Sequence, residues 1–221
     1  WSPAISLKEY WNDSDYTAIA TSVCNGIQLS DGTFLIPIIV LKNGNFRSGI
    51  LTKKPGKDWG FSVYTNIDGD NECSIYLDND ERIILDCRTI EKIHRKYRYD
   101  MANNSLELMP YNVSVPIDLK AEITEIQTDS VKYYLTTYVD TSRGVRENLT
   151  LYGSFDAINW VKLYTIKEGE GVAYGNVAFF NGKIVVAYED LASQKIKIQD
   201  ISSMSDKIAN ILEGKKNVSD N

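Results

Sequence analysis

Ser154-Phe155-Asp156-Ala157-Ile158-Asn159-Trp160 sets an Asp two residues after a Ser and four before a Trp, between two apolar runs. A carboxylate so placed accepts from the backbone N–H groups that follow it and closes a tight turn. The Trp then packs back against the strands that the turn joins. Two further stretches read as weaker copies: Thr52-Lys53-Lys54-Pro55-Gly56-Lys57-Asp58-Trp59, and Arg98-Tyr99-Asp100-Met101-Ala102-Asn103-Asn104-Ser105, which keeps only the Asp. Alone, each is an ordinary surface turn. Three at intervals of about 50 residues point to an internal repeat.

Short apolar or alternating runs lie around these turns, at residues 32–41, 49–53, 73–77, 82–87, 131–139, 149–153, 172–180 and 182–189. Hairpin punctuation separates several of them: Ser30-Asp31-Gly32, Lys42-Asn43-Gly44, Asp78-Asn79-Asp80 and Asn181-Gly182. Helical periodicity enters only near the end, where Met204, Ile208, Ile211 and Leu212 share a face, with Ser205 or Asp206 as cap and Gly214 as stop. The reading is an all-β body with one short C-terminal helix. Short strands at even spacing fit a sandwich or a propeller, and the repeated turns favour the propeller.

The chain has 221 residues, 43% apolar and 24% charged, the composition of a soluble globular protein able to bury a core as one domain. Its net charge of -6 argues against nucleic acid, which needs a basic excess to neutralise phosphates. A few aimed arginines can still bind an anionic ligand. No apolar run approaches the ~18 residues of a membrane span, and Trp1 opens the chain in ordinary sequence with no signal peptide. Asn-x-Ser/Thr triplets at Asn12, Asn103, Asn112, Asn148 and Asn217 favour an extracellular or cell-surface glycoprotein. Cys24, Cys73 and Cys87 fit no zinc or redox spacing.

The turn motifs resemble the Asp-box, Ser-x-Asp-x-Gly-x-Thr-Trp, of sialidases, and the whole chain resembles the trypanosomal sialidase and trans-sialidase superfamily. Trp1-Ser2-Pro3-Ala4-Ile5-Ser6-Leu7-Lys8-Glu9 looks like the family's entry to its third blade, and Asp31-Gly32-Thr33-Phe34-Leu35-Ile36-Pro37 like the strand after it. The resemblance implies a six-bladed β-propeller of which this chain covers about the last two-thirds. Residues 1–201 would form the partial propeller and residues 202–221 a connector helix and tail.

The resemblance also supplies a site. Gly69-Asp70-Asn71-Glu72 is similar to the motif whose Glu activates the nucleophile. Ile84-Leu85-Asp86-Cys87-Arg88 ends on the second arginine of the family's carboxylate-binding triad, and Arg146 stands where the third belongs. Tyr174, in Val172-Ala173-Tyr174-Gly175, falls at the nucleophile, and Glu189 at the acidic residue that steadies the first arginine. The chemistry is coherent. Sialic acid carries a carboxylate on its anomeric carbon, which arginines grip through paired charge-assisted hydrogen bonds. That carboxylate repels an anionic nucleophile, whereas a neutral phenol primed by a Glu avoids the repulsion. No metal or organic cofactor is required. The first arginine and the acid Asp fall upstream of Trp1, so an upstream propeller segment is needed to complete the site. Gly144 stands where transferases carry a sugar-stacking aromatic, so hydrolysis is expected rather than transfer.

The expected activity is therefore retaining exo-sialidase cleavage of terminal sialic acids once N-terminal blades are present. The alternative is a non-catalytic adhesin of the same superfamily that binds sialoglycans. The residues offer one check independent of family. A hairpin turn centred on Asp80 pairs Leu77 with Ile83, Cys73 with Cys87 and Glu72 with Arg88, and puts Glu72 and Arg88 on the face opposite the cysteines. Cys73 and Cys87 then form either a cross-strand disulfide, leaving Cys24 over, or two buried thiols. His94, in the basic run 92–98, reads as a solvated residue.

Overall fold

The computed structural model describes residues 6, 16–91, 93–110, 122–127 and 131–219, with side chains described as far as residue 213. Asn12, Asn112 and most of the Trp1–Glu9 segment lie outside the described residues. Among the described residues, sixteen strands form four antiparallel sheets, followed by a 3-10 turn at Ser202–Met204 and one α-helix. Blade 1 contains β1 (Tyr16–Thr21), β2 (Ile27–Gln28), β3 (Phe34–Lys42), β4 (Asn45–Lys53) and β5 (Trp59–Tyr64). Blade 2 contains β6 (Asp70–Leu77), β7 (Ile83–Thr89), β8 (His94–Asp100) and β9 (Ser105–Leu108). Blade 3 contains β10 (Thr124–Gln127), β11 (Lys132–Asp140), β12 (Glu147–Ser154) and β13 (Val161–Glu170), and blade 4 contains β14 (Val172–Phe180), β15 (Lys183–Asp190) and β16 (Lys195–Asp200).

Consecutive strands pair antiparallel in blades 2, 3 and 4, and in blade 1 the order is β1-β3-β4-β5, with the short β2 also pairing with β3. Asn43-Gly44 and Asn181-Gly182 both have positive φ at the two residues of their turns, the conformation of a two-residue hairpin loop. Most of the core lies between blades, with a smaller cluster of Tyr16, Ile38, Val40 and Leu51 within blade 1. Leu35 and Ile50 of blade 1 pack with Ile75, Leu85 and Tyr97 of blade 2. Tyr76 and Ile84 of blade 2 meet Tyr134 and Tyr138 of blade 3. Leu149 and Leu151 of blade 3 meet Val177 and Val186 of blade 4. This is a four-blade propeller arrangement.

The three turns that suggested a repeat occupy equivalent places, after the third main strand of blades 1, 2 and 3, between β4 and β5, β8 and β9, and β12 and β13. Asp156 Oδ1 accepts from the N–H of Ile158 at 2.8 Å and of Asn159 at 2.7 Å. Asp100 Oδ1 accepts from Ala102 at 2.9 Å and Asn103 at 3.1 Å. Even the Asn amide that caps each carboxylate recurs, at 2.7 Å in both loops. Trp160 is buried among Tyr76, Ile84 and Tyr134. Asp58 makes no such bonds among the described residues, and the 52–59 loop is instead closed by Lys57 N–H on Lys54 O at 3.1 Å.

Two expectations are corrected, and of the two cysteine alternatives one is observed. The C-terminal helix α1 (Ser205–Ser219) does not stop at Gly214. A mid-helix Gly costs only about 1 kcal/mol, too little to end a helix whose Ile208 and Leu212 are buried against blades 3 and 4. His94 is not solvated, because β8 is covered on both faces: His94 and Lys96 are buried on one, Tyr97 and Tyr99 on the other, and within the strand only Arg98 is exposed. His94 Nδ1 lies 2.8 Å from Asp86 Oδ1, and Lys96 Nζ donates to Tyr76 Oη at 2.8 Å and to the Ala157 carbonyl. Cys73 and Cys87 do face each other, in the register read from the turn, but they are free thiols, as is Cys24. The Cys73 thiol is directed instead at Ile38 O, 3.7 Å away, and burial foremost, then a hydrogen bond with Cys73, pushes the Cys87 thiol well up. Accordingly, guanidinium-unfolded protein kept free of reductant should give three thiols per chain with Ellman's reagent; a count of one would restore the disulfide.

Candidate functional site

Glu72 and Tyr174 lie near the starts of β6 and β14, the first strands of blades 2 and 4. Each sits where the ladder slips. The β6–β7 register shifts between Asp70 and Cys73, and the β14–β15 register shifts between Ala173 and Asn176. Such bulges re-aim side chains out of strict alternation. Tyr174 has φ 45°, a left-handed conformation that a non-glycine residue keeps only when its surroundings enforce it. The enforcement is next door. A Cβ on Gly175 would run into the Thr137 hydroxyl and come within 2.6 Å of Leu149 Cδ1, and Thr137 Oγ1 donates to Gly175 O at 2.6 Å.

Glu72 is fixed from below by its neighbour Asp70, which is fully buried and accepts from Tyr97 Oη at 2.5 Å and Arg95 Nη1 at 2.8 Å. Burial foremost, followed by this bond to Asp70, drives the Tyr97 phenol pKa far up, so Tyr97 acts as a permanent donor. Gly69 N–H bonds Phe46 O at 2.8 Å and Ile90 N–H bonds Gly69 O at 2.9 Å, tying the segment to blade 1 and to the end of β7.

The predicted residues converge. Tyr174 Oη donates to Glu72 Oε1 at 3.1 Å, and Arg88 Nη1 donates to Glu72 Oε2 at 2.9 Å. The Arg146 guanidinium carbon lies 5.3 Å from the centre of the Tyr174 ring, within cation–π range. Arg146 is anchored through its carbonyl, which accepts from Gly171 N–H at 2.9 Å. Four side chains from three blades thus meet, 102 residues apart at the extremes. Glu189 is the exception. It lies across the ladder from Ala173, half-buried, and its carboxylate has no hydrogen-bond partner among the described residues.

Charge is mixed in this cluster. Burial first, then the Glu72 carboxylate, raise the Tyr174 pKa, while Arg146 and Arg88 pull it back down. The phenol is therefore neutral at physiological pH, with a proton already directed at an acceptor. Arg146 makes no side-chain hydrogen bond among the described residues, so its fork is open to an anion. Sequence reading found these four residues but missed what holds them: buried Asp70, the Thr137–Gly175 contact and the two bulges. The Gly after Tyr174 was the one legible trace of the last.

No protein family profile matches the sequence, and no curated protein is similar to it at the sequence level. Solved structures are similar. Trypanosoma rangeli sialidase in complex with the inhibitor DANA superposes with a TM-score of 0.78 at 15% identity, over 94% of this chain and 36% of that one. The same sialidase in complex with sialic acid gives 0.74 at 15% identity, over 96% of this chain and 37% of that one. A Bacillus subtilis arabinanase gives 0.52 at 13% identity, over 79% and 71%. The fold is thus a sialidase-like β-propeller, and the chain spans little more than a third of the length of the sialidase chains it matches.

Two outcomes follow from the geometry. Gly175→Ala should destabilise the chain by roughly 1–3 kcal/mol, the usual cost of overpacking, read as a shift in urea midpoint at unchanged slope. Since Glu72 raises the Tyr174 pKa and Arg146 lowers it, Glu72→Gln should bring the phenol down towards 10.0 and Arg146→Ala should take it further up. NMR titration of ring-labelled tyrosine would measure both, and the same sign for both variants would refute the assignment.

Proposed function

We propose that this chain forms the last four blades of a six-bladed, sialic-acid-recognising propeller that is a retaining exo-sialidase once N-terminal blades complete it. The observation carrying this reading is the Tyr174–Glu72–Arg88 chain of hydrogen bonds with Arg146 over the phenol. In the reaction, Arg88 and Arg146 hold the substrate carboxylate, Tyr174 Oη attacks the anomeric carbon, and its proton passes to Glu72 Oε1. Glu189 orients the first arginine of the missing segment, which also brings the acid for the leaving group. A neutral nucleophile suits a substrate whose anomeric carbon bears an anion.

Completion by further blades is supported by the outer face of blade 4, where Phe180, Ile196 and Ile198 are more than 60% exposed. In the register they share a face with Ala178, Val185 and Ala187, the kind of surface that another blade covers elsewhere in this molecule. The triplet at Asn103 supports an extracellular or cell-surface setting.

The second reading, a non-catalytic sialoglycan-binding adhesin, draws on the raised Tyr174 pKa, since a tightly held proton also suits an inert donor. The two readings separate on a propeller with its N-terminal blades restored. Both expect Arg88→Ala and Arg146→Ala to weaken sialoside binding at least about tenfold, the loss of one hydrogen bond to a charged group. Only the enzyme expects Tyr174→Phe and Glu72→Gln to abolish hydrolysis of a fluorogenic sialoside while binding survives. A wild-type propeller that binds no sialoside would sink both.

A further inference from the structure

A concavity of about 360 Å³ opens on blade 3. It lies on the face of the sheet carrying Tyr138, Thr150 and Thr165, which pair in succession across β11, β12 and β13. The oppositely charged Asp140 and Lys162 border it, together with Asn148 and Glu168. It is distinct from the Tyr174 cluster, none of whose members lines it, although Asn148 lies only two residues beyond Arg146.

The chemistry of its wall is specific. Tyr138 and Tyr152 stand edge to face, with ring centres 5.3 Å apart, giving an apolar floor with two phenolic tips. Neither hydroxyl is hydrogen-bonded to another described residue, and the same holds for the Lys162 ammonium and the Glu168 carboxylate. Asn148 uses its Oδ1 to accept from Gly169 N–H at 3.0 Å, which turns its amide donors free. Donors and acceptors are thus both present beside an aromatic surface, a combination that suits a ring with apolar C–H faces and hydroxyl groups. Two carboxylates, Asp140 and Glu168, outnumber one ammonium, so an anion is disfavoured here, in contrast to the arginine-lined cluster. The volume is at the small end of the ~300–1,000 Å³ range of ligand pockets, enough for one ring rather than a chain.

We infer that this cavity is a binding site for a single neutral pyranose, a sugar-recognition site separate from the Tyr174 cluster. The inference does not rest on the sialidase reading. It gives the chain a hold on glycans that carry no acidic sugar, through Lys162, Glu168, Asn148 and the two phenols.

The test uses the 221-residue chain made in bacteria, so that Asn148 carries no glycan. Methyl α-glucoside, methyl α-mannoside and methyl β-galactoside are titrated separately and followed by amide NMR. At least one should saturate with a dissociation constant below roughly 10 mM, with shifts centred on Asn148, Thr150 and Thr165. Lys162→Met and Glu168→Gln, both exposed positions, should each weaken it by about tenfold or more, and Tyr174→Phe should leave it unchanged. The inference is overturned if no pyranoside saturates, if shifts centre on Glu72 and Tyr174, or if the two pocket variants bind as wild type. Failure of sialoside hydrolysis would leave all three readouts untouched.

Discussion

Glu72 and Tyr174 belong to blades that are not neighbours, so the hydrogen bond between them is only as good as the blade that separates them. Blade 3 must hold blade 2 on one side and blade 4 on the other without slack. On the first side, buried Lys96 reaches out of blade 2 to the Ala157 carbonyl of the 154–160 turn, and Tyr134 Oη donates to Leu77 O at 2.9 Å. A buried ammonium is tolerable only with partners that offset its desolvation, and Asp86 and Tyr76 supply them. On the other side the spacing is set by the missing side chain of Gly175 against Thr137.

The same arrangement explains why the phenol and the arginines can share so small a space. Glu72 sits between Tyr174 and Arg88, accepting from both, so its two oxygens divide the roles of proton acceptor and cation partner. Moving Glu72 would leave Arg88 with one fewer partner and Tyr174 without its acceptor. Asp70, two residues earlier and wholly buried, holds the strand through Tyr97 and Arg95 rather than entering the cluster itself. The electrostatics of blade 3's own cavity run the other way, with the carboxylates of Asp140 and Glu168 in excess of the one ammonium in its lining.

Much of this was legible in the chain. Period-two alternation gave the strands, Asn-Gly pairs gave the tight hairpins, and the Asp80-centred turn gave the Cys73–Cys87 register correctly. Four of the five residues named as candidates do lie together. What escaped has a common physical cause: it depends on contacts between segments remote in sequence. Nothing local marks His94 and Lys96 as buried, because their partners Asp86 and Ala157 lie on another strand and another blade. Nothing local decides between a disulfide and two thiols, because the direction of Cys73 is set by Ile38 of blade 1. The slips at Glu72 and Tyr174 were invisible to a strict period of two, and Gly214 was overruled as a helix stop by packing upstream of it.

The last strand, β16, runs Lys195-Ile196-Lys197-Ile198 along the outer edge of blade 4. A strand in that place offers a row of backbone donors and acceptors to any second strand that approaches, and its isoleucines add an incentive to stick. The lysines between them are the counterweight, since two copies laid edge to edge would bring like charges together. What opposes such edge pairing is charge rather than shape. Salt weakens that protection by screening it, while a covering blade would make it unnecessary.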